Sequence, residues 1–119
     1  MKIKIIAGYS LIIGISILGM WGLILTTEEV PEGPLELTFH LISEFLMALA
    51  VLVAGILILK KHNLGRGLGL AAHGMVVYSV LNAAGYYAER GETVLPLLFI
   101  VLMGASLWCI ILLMNKKLN

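Results

Sequence analysis

Two residue patterns place chemically capable side chains inside an otherwise apolar sequence. His40 and Glu44 stand one helical turn apart, and Met47 and Val51 continue the same face. Tyr78, Asn82 and Tyr86 repeat at that spacing and form a second polar stripe. A carboxylate beside an imidazole can hold a proton, relay one or take a cation, and phenol and amide groups can complete the shell around a small ligand. A zinc site is poorly supplied, because a closed tetrahedral set needs two more ligands than His40 and Glu44 provide. The thioether of Met103 suits copper better than zinc.

The other reactive residue types read as structural. Cys109 lies between Trp108 and Ile110, an apolar setting that leaves a thiol inert. His73, flanked by Ala72 and Gly74, reads as a packed or carbonyl-bonded histidine, and His62, among lysines, as a solvated one. Gly67-Leu68-Gly69-Leu70-Ala71-Ala72 matches a dinucleotide-type glycine string, but no strand precedes it, so it reads as helix packing. With no nucleophile elbow, phosphate-binding loop or cysteine cluster, no catalytic residue is nominated.

The elements that must position these groups follow from composition. Of 119 residues, 61% are hydrophobic and 13% charged, and the mean hydropathy is +1.04. A small domain buries the least of its surface, so a chain this apolar requires lipid as its solvent. The net charge of +1 leaves no footprint for nucleic acid, and a single cysteine excludes a disulfide scaffold.

The charges cluster, and the gaps between clusters define spans. Ile5 to Leu25, Leu68 to Ala88 and Val94 to Met114 carry no charge, and Leu37 to Leu59 carries only Glu44. Each gap is about 20 residues, the length of a helix crossing a hydrocarbon core of about 30 Å. The expected fold is an all-α membrane protein, one domain over 1–119, with spans at 5–25, 35–59, 67–89 and 94–114. Short connections make it an up-down four-transmembrane-helix bundle. Small-residue pairs such as Ser10/Gly14, Ala50/Ala54, Gly65/Gly69 and Gly67/Ala71, with the patch at Gly104, would let the helices approach closely. Tyr9, Trp21, Tyr86, Tyr87 and Trp108 suit an interfacial aromatic belt.

Basic residues set the expected orientation. Lys2, Lys4, Lys60, Lys61, Arg66, Lys116 and Lys117 fall on one side of the four spans and Arg90 alone on the other, which places both termini in the cytoplasm. All the acids except Glu44 fall on the opposite side and give it a negative potential that attracts cations. The lysine bias fits a prokaryotic inner (plasma) membrane. The first apolar stretch is too long for a signal core and lacks a small-residue cleavage site, so it reads as an uncleaved span.

Depth, counted from the outer span ends, groups the polar residues. His40 and Glu44 lie roughly 7 and 13 Å in, and Tyr86, Asn82 and Tyr78 roughly 4, 10 and 16 Å. Ser16 and Met103 fall at roughly 15 and 12 Å. A polar pocket in the outer half, made of His40, Glu44, Tyr78, Asn82 and Tyr86 with Ser16 at its margin, is therefore expected. His73 lies roughly 24 Å in, level with Ser10 and Cys109 and too far from His40 for both to ligate one heme. A charge inside a span costs roughly 2.5–3.5 kcal/mol on insertion scales, so Glu44 is the residue most in need of a reason. The expected function is binding of a cation, proton or small ligand from outside. The alternative is a structural or accessory subunit in which the polar cluster only orders the helices. Partners beyond the bilayer would be a homo-oligomer or a larger membrane complex, because one bundle of this size is small for a complete transporter.

Overall fold

The computed structural model describes residues 2–27 and 32–115, and these are almost entirely helical. The helices are α1 (Lys2–Thr27), α2 (Pro34–Leu59), α3 (Asn63–Glu89) and α4 (Val94–Met114). Each is long and apolar enough, by length and composition, to cross a membrane. The long dimension of 45 Å matches the roughly 40–45 Å of a bilayer with its headgroups. These are the features of a small multi-pass membrane protein.

Helices α1 and α3 outrun their expected spans, α2 adds only Pro34, and α4 coincides with its span. Lys61 takes the left-handed conformation (φ 57°) just past α2, and the His62 amide donates to the Leu57 carbonyl at 2.9 Å. This closes α2 with a Schellman turn after Leu59, the end of the expected span 35–59. The His62 side chain then accepts from the Leu64 amide at 3.1 Å, so His62 caps α3 and is more than a solvated loop residue. With that cap in place, α3 begins at Asn63 and not near 67. Gly91 (φ 81°) ends α3 in the same way, with the Glu92 amide on the Tyr87 carbonyl at 3.0 Å. Arg66 donates to the carbonyls of Leu113 and Met114, supplying hydrogen bonds that the end of α4 cannot find within its own helix.

Consecutive helices pack against one another in chain order, α1 on α2, α2 on α3 and α3 on α4. Each turns one seam inward at helical spacing. On α1 the seam is Ile6, Ser10, Ile13, Ile17 and Trp21; on α2 it is Glu44, Met47, Val51, Ala54 and Ile58. On α3 it is Gly69, Ala72, His73, Val76 and Val80, and on α4 Phe99, Ser106, Cys109 and Leu113. The remaining faces expose aliphatic residues such as Ile12, Leu49, Val101 and Ile111, as expected of helices solvated by lipid.

Glycines fall into two groups. A Cβ on Gly14 would lie 2.5 Å from Leu52 Cγ, and one on Gly69 2.9 Å from Leu113 Cδ1. A Cβ on Gly65 would meet the backbone nitrogen of Ile58 at 2.9 Å, where no side chain can yield. Gly67 and Gly104 would meet nothing within 4 Å, so they do not bring helices together within the chain as the small-residue pattern suggested. Gly65→Ala should therefore lower stability by about 1–3 kcal/mol. Gly67→Ala should leave stability unchanged or raise it by up to about 1 kcal/mol through helix propensity. Thermal unfolding of both variants in detergent checks the contrast.

Candidate binding site

Glu44 belongs to the inward seam of α2 and is 8% exposed. Its Oε1 accepts from Trp21 Nε1 at 3.0 Å, and Ser79 Oγ donates to its two oxygens at 3.1 and 3.3 Å. One carboxylate thus joins α1, α2 and α3. Both donors are neutral. Among the described residues no lysine, arginine or histidine nitrogen pairs with it. Glu44 therefore carries either a proton or a charge that no described side chain neutralises, a costly state for a buried carboxylate.

His40 does not pair with Glu44. Its Nδ1 lies 2.9 and 3.0 Å from the oxygens of Glu32, and its ring stands edge-on to Trp21, 4.9 Å between centroids. Four residues turn a helix by about 400°, so His40 is rotated about 40° from Glu44. That rotation carries it off the seam towards the helix edge, where Glu32, just ahead of α2, meets it. The expected proton sharing within a His40–Glu44 pair is replaced by two separate arrangements, His40 with Glu32 and Glu44 with Trp21 and Ser79.

A cavity of about 1010 Å³ opens beside these groups, between α1, α2 and α3 at the acid-rich end of the bundle. Its walls bring together His40, Glu44, Tyr78, Asn82 and Tyr86. They also include Trp21, Glu32, Glu36 and Ser79, which sequence reasoning did not place there. The α3 donor to Glu44 is Ser79, next to Tyr78 in sequence, and Tyr78 itself stands 73% exposed. Tyr86 receives the Arg90 guanidinium over its ring at 3.6 Å and meets Tyr87 edge-on at 5.0 Å. Ser16 and Met103 are not among the residues lining the cavity, and Ser16 is exposed because the seam through Ile13 and Ile17 turns it outward.

Two signals could have found the missed donors. Ser79 lies roughly 15 Å from the outer end by the same rise count, a depth close to that of Glu44. The spacing Gly65, Gly69, Ala72, Val76 points to Val80 and its neighbour Ser79 as the side of α3 that meets the bundle. Trp21 had been read as a belt residue, yet it is 6% exposed and turned inward on the seam of α1.

A second polar cluster ties the basic half of the bundle. Ser10 Oγ donates to the Ile6 carbonyl at 2.7 Å and lies 2.8 Å from His73 Nε2. With the Ser10 proton committed to that carbonyl, Nε2–H is the donor to Ser10. On the other side of the ring, Ser106 Oγ lies 3.4 Å from Nδ1 and 2.8 Å from the Tyr9 hydroxyl, which also donates to the Leu102 carbonyl at 3.0 Å. Tyr9 stacks on His73 at 5.6 Å. So Tyr9 is a bundle residue and not a belt residue, and His73 is bonded to hydroxyls and not to a carbonyl. Ser10, His73 and Ser106 are each 0% exposed, and Cys109 is a buried free thiol. The chain of bonds links α1, α3 and α4.

The family model that matches the chain, over residues 1–119, describes a domain of unknown function. No curated protein and no solved structure matches it.

Proposed function

The chain belongs to the DUF8058 family, a domain of unknown function, so its role has to be read from its own site; we propose that the acid-end cavity binds a cation, proton or small ligand at Glu44. The observation that carries this reading is a buried carboxylate on a cavity wall whose described partners, Trp21 and Ser79, are both neutral donors. Two donors leave acceptor capacity on the carboxylate, because a carboxylate has about four lone-pair sites. The basic-residue bias puts both termini in the cytoplasm and this cavity in the outer half of the membrane. Glu32, Glu36, Glu89 and Glu92 then face the outside and concentrate cations at the mouth.

At a pH where the carboxyl group holds a proton, a cation that takes its place releases that proton. The test adds sodium, potassium, magnesium or tetramethylammonium chloride to the protein in lightly buffered nonionic detergent and follows proton release with an indicator dye. Release by the native chain that Glu44→Gln abolishes supports the reading. The alternative, a structural or accessory subunit, draws on the bonds by which Glu44 joins three helices. It predicts that Glu44→Gln lowers the melting temperature while none of the salts releases protons from either protein.

A further inference from the structure

We infer that the ligand of this cavity is a monovalent organic cation, a quaternary or protonated amine carried on an apolar body; this rests on the proposed binding at Glu44 and names its ligand class. Size is the first argument. A cavity of about 1010 Å³ far exceeds a bare ion and matches the roughly 300–1,000 Å³ of sites that enclose drug-sized molecules.

The walls give the second. Around Glu44 they present the rings of Trp21, Tyr78 and Tyr87 and the thioethers of Met20, Met47 and Met75. Aromatic faces attract ammonium groups, and methionines adapt to apolar bodies of irregular shape. The Arg90 guanidinium on Tyr86, 3.6 Å from the ring centroid, shows that a ring of this wall already carries an organic cation on its face. Metal chemistry is not offered in the same way. Among the described residues no three His, Cys, Asp or Glu side chains group closely enough to hold a metal ion.

Charge gives the third. Among the described residues one buried carboxylate faces the cavity, because Glu32 is engaged by His40 and Glu36 is exposed. A single charge balances a single ammonium, and the apolar remainder of the ligand lies against rings that no charged group would favour.

The experiment uses Trp21 as the reporter, since its indole nitrogen sits 3.0 Å from the Glu44 carboxylate. Trp108 is the other tryptophan, so the work is done in a Trp108→Phe background. Benzyltriethylammonium chloride is titrated in nonionic detergent and compared with tetramethylammonium, potassium and magnesium chlorides. The expected result is a saturable change in Trp21 emission by benzyltriethylammonium, with a Kd at least about tenfold below that of the other cations. Glu44→Gln, whose amide oxygen still accepts from Trp21 and Ser79, should weaken that binding by about tenfold or more at unchanged helical content. Tyr78→Leu, at an exposed position that does not threaten folding, should weaken it by about threefold.

If the small or inorganic cations bind with the same Glu44 dependence and benzyltriethylammonium binds no better, the organic-cation inference fails while binding at Glu44 stands. An unchanged affinity in Tyr78→Leu would overturn the aromatic recognition. If no salt alters Trp21 emission, or Glu44→Gln binds every cation like the native chain, both readings fall together.

Discussion

His73→Ala should lower the stability of the bundle by about 2–4 kcal/mol, one of the two largest side-chain effects expected in this chain. The imidazole is fully buried, and its removal opens a void between α1, α3 and α4 that lipid-exposed helices cannot readily collapse. Its bonds go as well. Hydrogen bonds between membrane helices average only about 0.6 kcal/mol in double-mutant measurements, so the void contributes most of the loss. Neither serine is orphaned, since Ser10 keeps the Ile6 carbonyl and Ser106 keeps Tyr9. His73→Leu, which restores volume without the polar edge, should therefore cost less, about 1–2 kcal/mol. The triple variant Ser10→Ala, His73→Leu, Ser106→Ala also deletes the bonds that the serines keep with Ile6 and Tyr9 and should cost about 1 kcal/mol more than His73→Leu. Denaturant titration in micelles ranks the three. A triple variant as stable as His73→Leu would assign the site to volume and geometry, with no role for the serine hydrogen bonds. Cation-dependent Trp21 emission should persist in folded His73→Leu, because His73 does not line the cavity.

The contrast between the two clusters shows what was legible in the sequence. Span number and position came from the gaps between charges, because the cost of a charge in hydrocarbon leaves a mark that no packing detail obscures. Glu44 stood out for the same reason. Depth counting also set Ser10 and His73 at one level, where they are bonded, since rise per residue is nearly fixed. Rotation was harder to read. A helix that is apolar on every face has no amphipathic signal to say which side meets protein and which meets lipid. Tyr78, Asn82 and Tyr86 were therefore chosen by polarity, whereas the glycine and alanine positions of α3 mark Ser79 as the side chain nearer the seam. Trp21 and Tyr9 were misread on one shared ground. Both have a polar tip that suits the interface, and both spend it on a buried partner, Glu44 for one and Ser106 for the other.

The same distinction separates closure from opening in the molecule. In the basic half, the polar groups meet one another and every one of them is spoken for within the chain: Tyr9, Ser10, His73 and Ser106 form one connected series. In the acidic half, the polar groups line a space. Tyr78 and Asn82 lie on its wall, and the carboxylate that joins three helices has only neutral donors among its described partners. A bundle fastened at one end and hollow at the other offers the proposed ligand a space that needs no separation of its helices.

Trp21→Phe tests whether Glu44 is held in place before any ligand arrives. The substitution keeps most of the buried ring and deletes the indole donor, so its cost reports the Trp21–Glu44 bond more than packing. The expected loss is about 1–2 kcal/mol, at the upper end for membrane hydrogen bonds because the acceptor is a carboxylate group in a buried position. Ser79→Ala should cost less, about 0.5 kcal/mol, because its contacts are longer and its half-buried position on the cavity wall allows water to replace the hydroxyl. Glu44→Leu supplies the control. In that background the acceptor is gone, and Trp21→Phe then relieves an unpaired indole N–H instead of leaving the carboxylate with Ser79 alone. The cycle should show a coupling of about 1 kcal/mol between Trp21 and Glu44 by thermal or denaturant unfolding. A coupling near zero would mean that the indole and the carboxylate do not hold one another, and Glu44 would then depend on Ser79 for its position.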